Sequence, residues 1–154
     1  MSLYLVRHAK AGSRSEWDGD DLLRPLSKNG WKQSKAIAKH LRKQGPTRLL
    51  SSPYLRCRQT LEPLGELVHL EVLDDARLTE GGPFEGVLDL IAEAPDGTVM
   101  CSHGDLVPET IAALQRRGCE ILSSPDWRKA TVWTLEVAAD GHIATASLWG
   151  PPPT

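Results

Sequence analysis

The sequence has few cysteines, no long apolar run and no excess of basic residues. Its three cysteines (Cys57, Cys101 and Cys119) show no CxxC spacing, which argues against a disulfide framework and a structural zinc site. No segment approaches the roughly 18 apolar residues of a membrane span, and no signal-peptide pattern precedes the first predicted strand. The net charge of −2 argues against a nucleic-acid-binding surface. We therefore expect a cytoplasmic protein with no membrane or nucleic-acid partner.

The length and composition predict one globular domain that spans residues 1–154. A hydrophobic fraction of 40% and a charged fraction of 25% are typical of globular proteins. A chain of 154 residues is long enough to bury a core and short for two ordinary domains.

Apolar runs of strand length alternate with segments of helical periodicity along most of the chain. The predicted strands cover residues 3–6, 48–52, 69–73, 98–102, 131–137 and 143–148, and Asp140-Gly141 is a hairpin signal between the last two. We expect the helix after the second strand to break or kink near Pro63, and the tail from Pro151 to Pro153 to be solvated. The pattern predicts an α/β fold, a three-layer α/β/α sandwich with a mostly parallel central sheet and an antiparallel edge.

Polar residues follow three of the predicted strands directly. His8, Ser52 and His103 each lie where a buried strand ends. In open parallel sheets, ligands bind beyond the carboxyl ends of the strands, so these residues are expected to meet in one crevice. The irregular segment 13–26 is long enough for a functional loop beside that crevice.

Arginines near these strand ends predict an anion pocket. Arg7 and Arg56 carry planar, permanently charged guanidinium groups that match phosphate oxygens, and a helix that opens after His103 at Asp105 adds its free N–H groups. Nearby cations favour the neutral form of His8, and neutral imidazole has the lone pair that a nucleophile requires. The residues therefore indicate a histidine nucleophile in a phosphate pocket.

Three ordered motifs resemble the histidine phosphatase superfamily, which also contains the cofactor-dependent phosphoglycerate mutases. Arg7-His8-Ala9 is similar to its Arg-His-Gly/Ala signature, the segment from Ser51 to Thr60 to its second motif, and Ser102-His103-Gly104-Asp105 to its third. The segment Arg24-Pro25-Leu26-Ser27 matches the entry to its first helix. The resemblance covers nearly the whole chain and implies the phosphoglycerate mutase-like fold.

The resemblance also implies a role for each site residue. His8 attacks phosphorus and becomes phosphohistidine, while Arg7, Arg56, His103 and Gly104 hold the phosphoryl oxygens, and water then releases phosphate. The family places its general acid in an L-x-E segment that Leu78-Thr79-Glu80 fits, so Glu80 is the predicted acid and Glu85 the reserve candidate. No metal or other cofactor is expected, because the arginines already neutralise the phosphoryl group. We expect Arg14, Arg24 and Arg58 to hold loops in place or to lie at the edge of the pocket.

The short chain lacks the insertions of the mutases and resembles the short phosphohistidine phosphatase (SixA-type) branch. The segments from Ala9 to Ser13 and from Gly19 to Leu26 also resemble the phosphatase half of certain Nudix-fused proteins. Phosphohistidine of a protein or a small phosphate ester is the expected substrate, so the partner is a phosphoprotein or a phosphorylated small molecule. A nucleotide substrate, a mutase activity and a non-catalytic module that binds a phosphorylated ligand stay open, as does the oligomeric state.

Overall fold

Seven strands and four helices alternate along most of the chain in the computed structural model, which describes residues 1–154. The strands are β1 (Ser2–Arg7), β2 (Arg48–Ser51), β3 (Val72–Asp74), β4 (Thr98–Ser102), β5 (Glu120–Ile121), β6 (Val132–Val137) and β7 (Ile143–Trp149). The helices are α1 (Lys28–Arg42), α2 (Leu55–Val68), α3 (Phe84–Glu93) and α4 (Leu106–Arg116), with 3-10 turns at Asp21–Leu23 and Ala76–Leu78. None of the helices has the length and apolarity needed to cross a bilayer.

All seven strands form one sheet in the order β3-β2-β4-β1-β6-β7-β5. The strands β3, β2, β4 and β1 pair in parallel, whereas β6 runs antiparallel to both β1 and β7. This arrangement confirms the predicted α/β class with its antiparallel edge. The two-residue strand β5, which pairs with β7, was not predicted because so short a segment has no readable periodicity.

Both faces of the sheet are buried, and β1 shows how the sequence achieves this. Leu3 and Leu5 belong to a core shared with α3 and α4, whereas Tyr4 and Val6 belong to a second core shared with α1 and α2. Alternate side chains of a strand point to opposite faces, so a continuous apolar run covers both. A strand with two buried faces is typical of the centre of a parallel sheet, and its end lies in the middle of the molecule.

The structure differs from the sequence-based expectations at three places. The helix α2 continues through Pro63, because the flanking Leu61 and Leu64 are buried in the core and tertiary packing outweighs the hydrogen bond that proline removes. The predicted strand 69–73 begins only at Val72, since His69 adopts a left-handed φ of 59° that ends α2. The tail is not fully solvated, because Pro152 is buried.

A close contact at Gly30 fixes the start of α1 against the segment that follows β1. A Cβ atom at this position would lie 1.9 Å from the main-chain oxygen of Lys10. That oxygen also accepts hydrogen bonds from the main-chain nitrogen of Ser27 at 2.9 Å and from its hydroxyl at 3.1 Å. Only glycine allows this approach, so Gly30 determines where the loop beyond β1 lies.

Replacement of Gly30 with alanine is expected to destabilise the fold by about 3 kcal/mol, the upper range for forcing a methyl group into a packed site. The obstacle is backbone, which cannot rotate away as a side-chain end can. Denaturant unfolding measures the loss. Gly86→Ala on α3 is the matched control, since its Cβ would meet only Arg77 side-chain atoms at 3.4 Å or more and should be neutral or stabilising by up to ~1 kcal/mol. Equal stabilities of the two variants would contradict the steric argument.

Candidate active site

His8 follows β1 and is held by three hydrogen bonds of its main chain and ring. Its N–H donates to the Ser102 carbonyl at 3.0 Å, and its own carbonyl accepts from the Ala130 N–H at 3.1 Å. The ring nitrogen Nδ1 lies 2.8 Å from the Ala9 carbonyl, which can only accept, so Nδ1 carries the hydrogen. The Ala9 N–H in turn donates to Thr60 Oγ1 at 2.9 Å. These bonds leave Nε2 of His8 with a free lone pair.

Burial keeps His8 neutral. Desolvation lowers the pKa of its imidazole to about 3, and the cationic groups of Arg56 and Arg7 lower it further against the raising effect of the Ala9 carbonyl. The sequence predicts a neutral His8 from the nearby cations, whereas burial is the larger cause in the structure. At neutral pH the ring is therefore an uncharged base with one nitrogen available.

The two predicted arginines lie beside His8 and are desolvated to different degrees. Arg56 is completely buried on α2, and burial lowers the pKa of Arg7 despite the opposing charge of Asp105. One Nη atom of Arg7 donates to the Trp127 carbonyl. The Nε atoms of both guanidinium groups are buried and have no hydrogen-bond partner in the protein. Buried unpartnered N–H groups are costly, so these two donors indicate a site for an acceptor.

His103 adds a third donor without a partner. Its Nε2 lies 2.8 Å from the hydroxyl of Ser52, and the Tyr54 N–H donates to that same oxygen at 3.3 Å. We assign the Ser52 hydroxyl as the donor in the contact with Nε2, which leaves the ring hydrogen of His103 on Nδ1. Nδ1 is buried and unpartnered, and the two imidazole centroids lie 5.5 Å apart.

Glu80 reaches the same pocket, whereas Glu85 does not. A carboxylate oxygen of Glu80 lies 3.5 Å from Arg56 and 3.8 Å from Nδ1 of His103. Arg14 approaches that oxygen from the solvent side at 3.4 Å. Glu85 is exposed in the first turn of α3. The geometry brings together the predicted acid and the predicted phosphate-binding groups, and leaves the reserve candidate outside.

Gly104 makes room for Arg7. A Cβ atom on Gly104 would lie 2.6 Å from the central carbon of the Arg7 guanidinium. The start of α4 is less electropositive than expected, because the Asp105 carboxylate accepts from the Leu106 N–H at 2.9 Å and from the Gly81 N–H at 2.8 Å. Direct contact of Gly104 with a phosphate stays a prediction, whereas its steric relation to Arg7 is a feature of the structure.

The sequence did not identify the partners of Asp21. Asp21 accepts from Arg56 through its carboxylate and through its main-chain oxygen, both at 3.1 Å, and from Nε of Arg24 at 2.8 Å. These arginines lower the pKa of its carboxyl group against the effect of desolvation. Only the (i, i+3) spacing of Asp21 and Arg24 was a signal in the sequence. Through these hydrogen bonds Asp21 connects the 13–26 loop to the pocket. Arg24 holds this loop in place, as expected.

The remaining polar candidates have structural partners. Arg58 pairs with Asp74, and His40 stacks on Trp149 with centroids 4.1 Å apart. No group of three or more His, Cys, Asp and Glu side chains is arranged to hold a metal ion.

Comparison with known proteins gives one family and several relatives. The model of the histidine phosphatase superfamily (branch 1) matches residues 3–123. The 8-oxo-(d)GTP phosphatase of Mycolicibacterium smegmatis is 33% identical over 98% of this chain and 48% of its own length. The phosphohistidine phosphatase SixA of Escherichia coli is 36% identical over 46% of this chain and 43% of its own length. The chain thus spans about half the length, or less, of these curated relatives.

Solved structures of phosphohistidine phosphatases have the same fold as this chain. The protein histidine phosphatase SixA complexed with tungstate superposes with a TM-score of 0.75 at 26% identity, covering 97% of this chain and 95% of that one. A phosphohistidine phosphatase SixA from Nakamurella multipartita gives a TM-score of 0.68 at 28% identity, over 97% of this chain and 93% of its own. The similarity therefore extends over the full sheet and both helix layers.

Proposed function

This chain belongs to the histidine phosphatase superfamily, and we propose that it is a metal-independent phosphatase that transfers a phosphoryl group first to His8 and then to water. One observation carries the proposal. Nε2 of His8 has a free lone pair, and the neighbouring Arg7, Arg56 and His103 each carry a buried N–H donor that has no partner in the protein. Three such donors suit the three non-bridging oxygens of a phosphoryl group. We also propose that residues 1–154 act as one domain, since all seven strands form one sheet.

In the first step Nε2 of His8 attacks phosphorus in line, the N–P bond forms and the bond to the leaving oxygen breaks. Negative charge on the non-bridging oxygens is stabilised by the fixed donors of Arg7, Arg56 and His103, which need no reorganisation when the charge develops. Because two cationic guanidinium groups already face these oxygens, a metal ion is not required for charge neutralisation. Glu80, whose carboxylate lies 3.5 Å from Arg56, gives its proton to the leaving oxygen.

In the second step water attacks the phosphohistidine. Glu80, now a carboxylate, accepts a proton from that water, the N–P bond breaks, and inorganic phosphate leaves. The Nδ1–H of His8 stays bonded to the Ala9 carbonyl throughout, which holds the ring in one tautomer for both steps. The same five side chains thus serve attack and release.

We propose a leading substrate class and a second candidate. A phosphate monoester or a protein phosphohistidine is the leading class, in line with the SixA structures that match the whole chain. A nucleotide phosphate is the second candidate, favoured by the 8-oxo-(d)GTP phosphatase that matches 98% of the chain. Hydrolysis of a panel of phosphohistidine peptides, sugar phosphates and nucleotides, measured by phosphate release, separates the two candidates.

The central test is the intermediate itself. The wild-type protein is expected to hydrolyse p-nitrophenyl phosphate in excess EDTA and, after acid-free quenching, to carry a phosphoryl group on His8 that mass spectrometry locates. Phosphohistidine is labile in acid and stable in base, so treatment at low pH should remove the label. A phosphoryl group on another residue would refute the mechanism. Phosphate that protects the protein in a thermal melt without any turnover would instead support a binding module.

Glu80→Gln should separate substrates by their leaving groups. An alkoxide is a poor leaving group and needs a proton, whereas p-nitrophenolate leaves readily without one. We expect the substitution to lower kcat for an alkyl phosphate by about 100-fold or more, within the usual range for a general acid, and to affect formation of phospho-His8 from the aryl ester far less. Glu85→Gln is the matched control. Equal losses on both substrates would contradict an acid role for Glu80.

A further inference from the structure

A groove of about 450 Å³ lies next to the phosphate pocket, between the segment after β1 and the start of β6. Its walls include Lys10, Gln33, Arg128, Lys129 and the tail from Pro151. None of these residues has a part in the proposed transfer to His8 and water. The groove is therefore a second polar surface beside the pocket.

Main-chain hydrogen bonds connect this groove directly to the nucleophile. The N–H of Ala130, the neighbour of Lys129, donates to the carbonyls of Arg7 at 3.2 Å and of His8 at 3.1 Å. Lys10 follows His8 by two residues, and its N–H donates to Oε1 of Gln33 at 3.0 Å. Both lysines thus start from backbone that is fixed relative to the pocket.

The positive charge in the groove is not neutralised. Arg128 is paired with Asp126 at 2.6 Å, whereas neither Lys10 nor Lys129 has a carboxylate partner among the ion pairs of the protein. Partial burial lowers the pKa of Lys129, and a set of like charges lowers it further: Arg7, Arg24, Lys10 and Arg56. Both lysines line the groove, and the backbone beside each of them is joined to that of the nucleophile, Lys10 through the chain itself and Lys129 through the Ala130 hydrogen bonds. An anion placed there would relieve this repulsion.

We propose that Lys10 and Lys129 form a second anion subsite, which binds a further phosphate group of the substrate while Arg7 and Arg56 hold the phosphoryl group that is transferred. The inference rests on the proposed function and selects, among its candidate substrates, esters that carry two or more linked phosphates. The terminal phosphoryl group passes to His8, the P–O bond to the inner phosphate breaks, and the shortened ester leaves with the new negative charge on its phosphate oxygen. The two ammonium groups neutralise that charge, and water then hydrolyses phospho-His8.

Binding of inorganic pyrophosphate tests the subsite without any turnover. In the His8→Ala background, isothermal titration compares pyrophosphate with orthophosphate for the parent and for the Lys10→Met/Lys129→Met variant. Pyrophosphate is expected to bind at least about 10-fold tighter than orthophosphate to the parent, and the double substitution should remove that advantage while changing orthophosphate affinity less than about 2-fold. Lys39→Met, on the exposed far end of α1, is the control. Unchanged pyrophosphate affinity in the double variant would overturn the proposal.

Turnover of diphosphate esters then identifies the source of the second phosphate. With His8 intact, the double variant should raise KM at least about 10-fold for a nucleoside diphosphate and for an alkyl diphosphate, while p-nitrophenyl phosphate is unaffected. A loss confined to the nucleoside diphosphate still supports the subsite and assigns it to nucleotides. Equal losses for diphosphates and the monoester would overturn it. Lysine-dependent pyrophosphate binding in a protein that hydrolyses none of these esters would refute the phosphatase while the subsite stands.

Discussion

Replacement of His8 with alanine is expected to reduce kcat for p-nitrophenyl phosphate by at least about 10,000-fold, the scale seen when a covalent nucleophile is removed. The loss should exceed that of any other single substitution, because no second group lies where it can accept the phosphoryl group. His103, the other buried imidazole, has its Nε2 bonded to Ser52 and presents a donor instead of a lone pair. Initial rates together with phosphoryl-enzyme trapping measure the effect.

The matched control is His142→Ala, a change to an exposed histidine that bonds to Asp140 on the β6–β7 hairpin. It should leave both kcat and the trapped phosphoryl group unchanged. Retained turnover in His8→Ala, or a phosphoryl group that still forms, would disprove nucleophilic attack by this residue. Circular dichroism checks that the fold is kept, which is expected because alanine removes a ring without adding volume.

The low pKa of His8 determines what the pH profile should show. Burial disfavours the charged ring, so its pKa lies near 3 in place of the ordinary 6.5. The neutral nucleophile is therefore present at all pH values above that range, and a fall in kcat/KM between pH 7 and 5 cannot come from protonation of His8. The same shift has the opposite consequence for stability. An unfolded chain takes up the proton near pH 6.5, so the folded state loses stability as pH falls from there towards 3.

The sequence was sufficient for the central strands of the sheet and for the residues at their ends. Continuous apolar runs such as β1 and β4 have an unambiguous pattern, and the polar residues that interrupt them, His8 and His103, mark the edge where parallel strands end together. Because β1 and β4 are adjacent, with Arg7 opposite Ser102, these two positions had to be close. The local sequence pattern and the rule that parallel strands end at the same edge were enough to predict that His8 and His103 lie close together.

What the sequence could not give are the properties that depend on distant segments. Whether Pro63 interrupts α2 depends on how Leu61 and Leu64 pack, which no local pattern contains. The cause of the neutral state of His8 depends on burial by the whole fold. The contact between Asp21 and Arg56 joins residues 35 positions apart, and many other carboxylates in the sequence were equally plausible partners.

Gly104→Ala is expected to lower kcat/KM by about 100-fold, the effect of misplacing a binding group by about 1 Å, without a comparable loss of stability. The added methyl group would lie 2.6 Å from the Arg7 guanidinium, which is the end of a side chain and can move at little cost to the fold. The substitution lowers kcat/KM instead, because Arg7 is one of the three proposed donors to the phosphoryl oxygens. Steady-state kinetics and a thermal melt separate the two effects, and Gly12→Ala, with no atom within 4 Å of its new Cβ, is the control.

A double-mutant cycle decides whether Gly104 acts through Arg7. If the glycine only makes room for the guanidinium, then Gly104→Ala should cost nothing further in a protein that already carries Arg7→Ala, because the methyl group then occupies vacated space. If the Gly104 N–H instead binds a phosphoryl oxygen itself, as the family resemblance implies, alanine keeps that N–H. In that case Gly104→Ala would have a small effect on kcat/KM, both in the wild-type protein and in the Arg7→Ala variant. An additive loss in the double variant would contradict both roles and would mean that the methyl group disturbs the start of α4.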